Sequence, residues 1–130
     1  MEKIVFSYYK RNNKYETVLI VFKSREQILY YKNLLDSLLN EQIDEICLND
    51  LNFIPLSEQF RICLTLGRED FDSYTIRKKK KNIVSLTLCQ GKEEIITHIC
   101  LLEPFLENDR RGFQEVYIDK YTIELSYKEQ

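Results

Sequence analysis

The clearest pattern in the chain is an alternation of apolar and polar positions that recurs in several segments. A period of two places alternate side chains on opposite faces of a β-strand, and residues 60–66 show this period most regularly. Residues 3–9 and 15–22 are rich in β-formers and flank a polar turn at residues 10–14, so they predict an opening hairpin. Further strands are predicted at residues 74–79, 83–89 and 94–102. Val116 and Ile118, and then residues 121–127, alternate as well, and the change of phase near Asp119 and Lys120 indicates a tight turn or a bulge.

One segment, from Ser24 to Asn40, has a helical pattern instead. Its apolar residues recur at steps of three or four positions, which places them on one stripe of a helix. They are Ile28, Tyr31, Leu35 and Leu38. Ser24 suits the N-cap position, and Gln27 follows three residues later, as in a capping box. We therefore predict a long amphipathic helix over about residues 24–40.

The order of these elements predicts the fold class. A hairpin is followed by the helix and then by a run of strands with short connections, which imply antiparallel pairing. We predict a single domain over residues 1–130 of the α+β class. Its expected architecture is a curved antiparallel β-sheet of about six to seven strands with the helix packed on one face.

Composition indicates that this domain is folded and where in the cell it is expected. Hydrophobic residues are 44% and charged residues 31% of the 130, which is typical of a folded domain rather than a disordered chain. No apolar run approaches the roughly 20 residues that span a bilayer, and the first residues do not resemble a signal peptide. We therefore expect a cytoplasmic protein that does not bind membranes. In that compartment its four cysteines are expected to be reduced.

Candidate chemistry is sparse. The chain has one histidine and three glycines, and it lacks the usual nucleophile, zinc and phosphate-loop motifs. In the predicted strand, His98 would share a face with Ile96 and Cys100, but neighbouring positions on a strand do not give base-to-nucleophile geometry. We expect a histidine with a local hydrogen bond, and we assign no catalytic, cofactor-binding or metal-binding residue.

Charge is the most informative irregularity. The net charge is only −2, but residues 41–72 carry eight acidic and two basic side chains. Acidic loops on a rigid scaffold suit the binding of a basic protein surface, because complementary charge speeds association. Tyrosines also suit interfaces. The candidate partner-binding residues are Glu41, Asp44, Glu45, Asp50, Glu69, Asp70, Asp72 and Tyr30.

These observations favour a non-enzymatic protein-binding domain. Its most concrete form is a toxin-neutralising immunity-type or inhibitor protein that occludes a basic surface of its partner, such as a basic toxin or enzyme. The sequence permits two alternatives. One is a small-ligand-binding or enzymatic pocket between sheet and helix.

The other alternative is nucleic-acid binding through a basic turn. The candidate contacts are Arg77, Lys78, Lys79, Lys80 and Lys81. A pI of about 5.5 argues against it, because nucleic-acid-binding modules are usually basic overall. The competing interpretation is that these charges solvate a hairpin tip and oppose edge-to-edge pairing.

Overall fold

The computed structural model describes residues 1–11, 15–57, 59–69 and 73–128, without the side chains of residues 11 and 15. This part of the chain forms nine strands and three helices. The strands are β1 (Ile4–Arg11), β2 (Tyr15–Phe22), β3 (Glu45–Cys47), β4 (Phe53–Pro55), β5 (Phe60–Leu66), β6 (Ser73–Lys80), β7 (Ile83–Gln90), β8 (Gly112–Ile118) and β9 (Tyr121–Tyr127). The helices are α1 (Arg25–Leu39), α2 (Lys92–Cys100) and α3 (Glu103–Asn108).

The strands form two mixed sheets. The larger sheet has the order β4-β1-β2-β9-β8, and the smaller has the order β3-β5-β7-β6. The α+β class is confirmed, but the predicted single curved antiparallel sheet with one long helix is wrong. Three pairs are parallel, namely β1 with β4, β2 with β9 and β5 with β7. Short connections indicate the pairing of consecutive strands only, whereas β9 returns from the far end of the chain to lie beside β2.

Helix α1 confirms the helix prediction and the N-cap. The Ser24 hydroxyl accepts a hydrogen bond from the Gln27 backbone N–H at 3.2 Å. The side-chain oxygen of Gln27 accepts from the backbone N–H of Lys23 at 2.7 Å. The reciprocal bond of the capping box therefore falls one residue before the cap, and it fixes the chain as it leaves β2.

One core lies between the two sheets, because α1 packs against both. It contacts β2 of the larger sheet and β3 and β5 of the smaller, and also α2 and α3. The Tyr31 ring is 5.4 Å from Phe22 and 6.3 Å from Phe53, centroid to centroid. The predicted apolar stripe of α1 is buried throughout.

The segment predicted as a strand at residues 94–102 is instead helix α2. Ile95 and Ile99 are buried one helical turn apart, whereas Ile96 is exposed. The run of apolar residues in this segment is nearly continuous, so its periodicity does not separate a helix from a strand. The arrangement of His98, Ile96 and Cys100 on one strand face is wrong for the same reason.

The expectation that all four cysteines are reduced is also wrong in this structure. Cys47 of β3 and Cys63 of β5 form a disulfide, and these two residues are direct partners in the antiparallel register. Cys89 and Cys100 are free thiols. Their positions along the chain did not show which cysteines would meet, because β3 and β5 pair through a connection of irregular sequence.

None of the described helices is long and apolar enough to cross a membrane.

Candidate functional site

His98 lies inside the core and not at a surface site. Its Nε2 atom is 2.8 Å from the Tyr31 hydroxyl, and its Nδ1 atom is 2.9 Å from the side-chain oxygen of Gln90. Since that oxygen can only accept, Nδ1–H donates to it and the Tyr31 hydroxyl donates to Nε2. Burial lowers the pKa of His98 to about 3, so the ring is neutral at physiological pH. The ring makes these two hydrogen bonds from helix α2, to partners 67 and 8 residues away in the chain rather than to a local one.

A cleft of about 480 Å³ opens at one end of the smaller sheet. The strands β5 and β7 are parallel, so their carboxyl ends meet at the same edge. Strand β3 begins at this edge too, because it pairs antiparallel with β5. Clefts beyond the carboxyl ends of parallel strands are common ligand sites in sheets with helices. We call this feature the charged cleft.

The charged cleft is lined by side chains of both charge signs. Glu41 and Asp44 reach it from the segment between α1 and β3, Arg68 follows β5, and Lys92 begins α2. Its apolar lining comes from the end of α1 and from adjacent positions. These residues are Leu38, Leu39, Ile43 and Leu66. The structure therefore brings two of the predicted acidic residues to a cavity, together with two basic residues that the acidic-surface prediction did not include.

Of the other predicted acidic residues that the structure describes, Glu45, Asp50 and Glu69 do not line the charged cleft. Asp50 is paired with the Arg61 guanidinium, which donates two hydrogen bonds to its carboxylate. That hydrogen bonding outweighs the opposing effect of desolvation and lowers the pKa of Asp50. Glu69 is exposed next to Arg68. Asp70 and Asp72 lie outside the described residues.

Tyr30 occupies a different surface, on the outer side of α1. It is partly buried, with its ring 5.9 Å from the Phe53 ring, and its hydroxyl accepts from the backbone N–H of Asn52 at 3.4 Å. It lines a shallow apolar groove beside Leu29 and Leu34. Tyr30 therefore does not line the charged cleft, and its hydroxyl lies beside Asn52, two residues after Asp50.

Glu45 lies beside the disulfide. Its carboxylate oxygen and the Sγ atoms of Cys47 and Cys63 lie within 4.8 Å of one another. A zinc site needs three or four ligands, with cysteine as thiolate. Because the two sulfurs are bonded to each other, this group offers a carboxylate alone and does not fit a metal in its oxidised form.

The basic run is divided between different environments. Arg77 on β6 donates a hydrogen bond of 2.6 Å to the carboxylate of Glu16 on β2, and its guanidinium is 3.5 Å from the Tyr8 hydroxyl. Desolvation alone would raise the pKa of Glu16, but hydrogen bonds from Tyr8, Arg77 and Tyr121 lower it to about 2. Arg77 therefore joins the two sheets.

The lysines that follow Arg77 do not form a one-sided patch. Strand alternation places Lys78 and Lys80 on one face of β6 and Lys79 on the other. Lys81 lies in the two-residue turn between β6 and β7 with a φ of 57°. The predicted hairpin is confirmed, whereas its proposed contact with nucleic acid stays a prediction.

The face of the larger sheet that points away from the core is exposed on its outer strands and buried at Thr17, Thr122 and Ser126 in its centre, and we call it the open face. Three rows of side chains cross it through the registers of neighbouring strands. The first row runs from β4 to β8 through Ile54, Val5, Val21, Ser126 and Phe113. The second runs from β1 to β8 through Ser7, Leu19, Glu124 and Glu115.

A third row completes the open face with Tyr9, Thr17, Thr122 and Tyr117. The outer strands carry the most exposed apolar side chains. Phe113 is 57% exposed, Tyr117 67% and Ile54 46%. Such large apolar groups on one sheet face are typical of a contact surface rather than of a face that only meets water.

Two carboxylates lie between these aromatic residues. Glu115 of β8 and Glu124 of β9 are direct partners across the antiparallel pair. The Tyr9 hydroxyl donates to Glu124 at 2.9 Å, and the Tyr117 hydroxyl donates to Glu115. The open face therefore combines exposed aromatic rings with negative charge at its β8–β9 side.

The sequence interpretation missed this surface, although a signal for it was present. Val116 and Ile118 were recognised as the apolar phase of a strand, and both are buried. In a strand of period two, the opposite phase must point outward. That phase carries Phe113, Glu115 and Tyr117, so a phenylalanine and a tyrosine at outward positions were the available indication.

Comparison with protein-family models, with curated proteins and with solved structures gives no match for this chain. The candidate sites therefore rest on the geometry described above.

Proposed function

We propose that this chain is a non-enzymatic protein-binding domain whose open face binds a basic segment of a protein partner. The observation that supports it best is the grouping of Phe113 and Tyr117 around Glu115 on an uncovered strand. Aromatic residues are enriched in protein interfaces and supply most of the energy at their centres. The neighbouring carboxylates select a partner that carries lysine or arginine.

The pairing of Glu115 with Glu124 supports a basic partner on energetic grounds. Like charges directly opposite each other across two strands destabilise a sheet, by an amount comparable to the roughly 0.2–1 kcal/mol of a favourable pair. A cation placed between the two carboxylates would turn this repulsion into attraction. The proposal therefore explains an arrangement that costs the free domain stability.

The most concrete form of this function is a toxin-neutralising immunity-type or inhibitor protein. In that form the domain covers a basic surface of its target and blocks access to it. The proposal keeps the partner chemistry that the sequence favours, but it moves the main contact from the segment at residues 41–72 to the open face. Tyrosine hydroxyls and acidic side chains are hydrogen-bonded to each other there, whereas Asp50 pairs with Arg61 and Tyr30 packs on Phe53.

The test is a capture experiment with matched variants. Tagged wild-type protein is mixed with lysate of the source cells, and retained proteins are quantified by mass spectrometry. We expect one abundant partner that is lost with Phe113→Ser and with Glu115→Lys. Tyr74→Ser is the control for an exposed aromatic residue on the other sheet, because Tyr74 is 40% exposed on β6, and it should retain the partner.

A second measurement separates binding from folding. Glu115→Gln removes the like-charge pair, so it should leave the domain as stable as the wild type or slightly more stable in urea unfolding, while it weakens capture and reduces its sensitivity to salt. Loss of both stability and binding would instead indicate a structural role. Equal capture by Glu115→Lys and wild type would refute the open face as the contact.

The acidic segment is tested in the same experiment. The double charge reversal Asp44→Lys and Glu45→Lys should leave capture unchanged if the open face carries the contact. Loss of the partner with this variant, and its retention with Glu115→Lys, would return the contact to residues 41–72. Repeating the capture with nuclease identifies any partner that is held through nucleic acid.

A further inference from the structure

The charged cleft has properties that the open face lacks. It is a concave site of about 480 Å³, within the range of about 300–1,000 Å³ that is usual for small-molecule sites. Its four charged residues form no ion pair with one another in the part of the chain that the structure describes. We infer that the charged cleft binds a short zwitterionic peptide, of two or three residues with aliphatic side chains and free termini.

The order of charges along the sheet edge supports a ligand that is charged at both ends. Glu41 and Asp44 precede β3, Arg68 follows β5, and Lys92 follows β7. The strands are neighbours in the order β3-β5-β7. The acidic groups therefore belong to one end of the row and the basic groups to the middle and the other end. The ammonium group of the ligand pairs with the acidic side chains, and its carboxylate pairs with the basic side chains.

Strand spacing sets the length of the ligand. Neighbouring strands lie about 4.8 Å apart, so two spacings cover about 10 Å. An extended peptide gains at most about 3.5 Å per residue, so a dipeptide spans about 7 Å and a tripeptide about 10 Å. A single α-amino acid is too short to reach groups at both ends. A long peptide would have to leave one terminus outside.

The apolar lining adds a preference for aliphatic side chains. Leu38 and Leu39 end α1, Ile43 lies between the two acidic residues, and Leu66 ends β5. Aliphatic groups of the ligand that are buried against them stabilise the complex through the hydrophobic effect. Charge thus fixes the orientation of the peptide, and the leucines and isoleucine of the cleft favour a peptide with aliphatic side chains.

The test is a titration of ¹⁵N-labelled full-length protein with leucyl-leucine, followed by amide chemical shifts. Saturable shifts centred on residues 38–44, 66–68 and 92 are expected. Leucine alone and N-acetyl-leucyl-leucinamide, which lacks both charges, should bind at least about tenfold more weakly, since a hydrogen bond to a charged group contributes enough for this factor. A dependence on length with an optimum at two or three residues is also expected.

Matched variants connect binding to the cleft. Arg68→Gln and Asp44→Asn should each weaken leucyl-leucine binding several-fold, whereas Lys78→Gln, which removes an equally exposed positive charge from β6, should not. Equal binding of the doubly capped peptide would refute the zwitterionic ligand. So would the absence of saturable shifts in the cleft at millimolar peptide.

This inference does not depend on the proposed function. Glu115→Lys alters the open face and should leave leucyl-leucine binding unchanged. Failure of the peptide titration leaves the capture experiment unaffected, and failure of the capture experiment leaves the peptide titration unaffected. A peptide that binds equally well to wild type and to Arg68→Gln would show that contacts outside the charged cleft hold it, which overturns the inference.

Discussion

The ion pair between Glu16 and Arg77 offers the sharpest test of how the two sheets are held together. Glu16 lies on β2 of the larger sheet and Arg77 on β6 of the smaller, and the hydroxyls of Tyr8 and Tyr121 also donate to the Glu16 carboxylate. The Glu16 side chain is 16% exposed. The perturbation is Glu16→Gln, which keeps the size of the side chain and removes its charge.

The expected loss of stability in Glu16→Gln follows from the pKa of Glu16. Burial opposes ionisation, but the three hydrogen bonds outweigh it and lower the pKa from its ordinary 4.5 to about 2. Each tenfold change in proton affinity corresponds to about 1.36 kcal/mol, so a lowering of the pKa by about 2.5 stabilises the charged form by at most about 3.4 kcal/mol on folding. Since Arg77 is 41% exposed and water screens the pair, we expect about 1–2 kcal/mol.

The direction of the pKa shift fixes the pH range over which Glu16 contributes stability. A carboxyl group whose pKa is lower in the folded protein contributes its stability fully above the unfolded value of 4.5, and loses it as the pH falls toward about 2. The free energy of unfolding in urea should therefore fall over this range in wild type, and fall less steeply in Glu16→Gln. At neutral pH the variant should be the less stable protein.

The control is Asp36→Asn, which breaks the exposed pair that Asp36 forms with Lys32 one turn away on α1. Such a surface pair contributes about 0.3–0.5 kcal/mol. Parallel pH profiles for wild type and Glu16→Gln between pH 5 and 2 would refute the reasoning. A loss of unfolding free energy at neutral pH no larger than that of Asp36→Asn would also refute it.

Three further predictions concern the core, the disulfide and a turn. Wild type should lose stability as the pH falls below about 6.5, at a slope of at most about 1.4 kcal/mol per pH unit, because burial lowers the pKa of His98 to about 3 and only the unfolded chain binds the proton. His98→Gln should remove this loss, and urea unfolding between pH 6.5 and 5 measures it. Reduction of Cys47–Cys63, which are 16 residues apart, should lower stability by about 3 kcal/mol, and the double alanine variant should not respond to reductant. Lys81→Gly should raise the unfolding free energy by about 0.5–1 kcal/mol, because Lys81 has a φ of 57° that glycine adopts without a steric cost; an unchanged or lower value would contradict this.

Local patterns predicted the elements that depend on local interactions. The helix α1 begins with a serine cap and has a clear stripe at helical spacing. The hairpins β1–β2 and β6–β7 join β-rich segments that are separated by polar sequence, of which residues 12–14 lie outside the described residues. The turn at Asp119 and Lys120 was visible as a change of phase, and it joins β8 to β9. In each case the residues that decide the structure are neighbours in the chain.

Long-range pairing was not predictable by the same means. The strand β9 is buried on both faces, with Thr122 and Ser126 buried as well as Ile123 and Leu125, because it lies between β2 and β8. The nearly continuous apolar run of α2 hides its helical period. The disulfide depends on β3, a three-residue strand that no alternation could reveal.

The acidic segment shows why a charge count along the chain does not locate a site. Eight acidic side chains between residues 41 and 72 suggested one surface, but the chain reverses direction several times in this segment. Asp50 and Glu45 both lie near Arg61, the first paired with it and the second beside the disulfide, whereas Asp44 reaches the charged cleft. Charges that are close in the sequence are close in space only where the backbone does not reverse direction between them.

The described charges can be separated by whether the fold itself satisfies them. Glu16 and Arg77 neutralise each other between the sheets, so their charges are used for stability. Glu115 faces Glu124, and although each accepts a hydrogen bond from a tyrosine hydroxyl, neither carboxylate forms an ion pair among the described residues. The charged cleft likewise holds side chains of both signs that form no ion pair with one another in this described part of the chain, so we expect these charges to be available to other molecules. Substitutions of the first kind should change stability and leave binding intact, and those of the second kind should do the reverse. Measuring unfolding and binding on the same set of variants therefore tests the proposed surfaces even while the partner is unidentified.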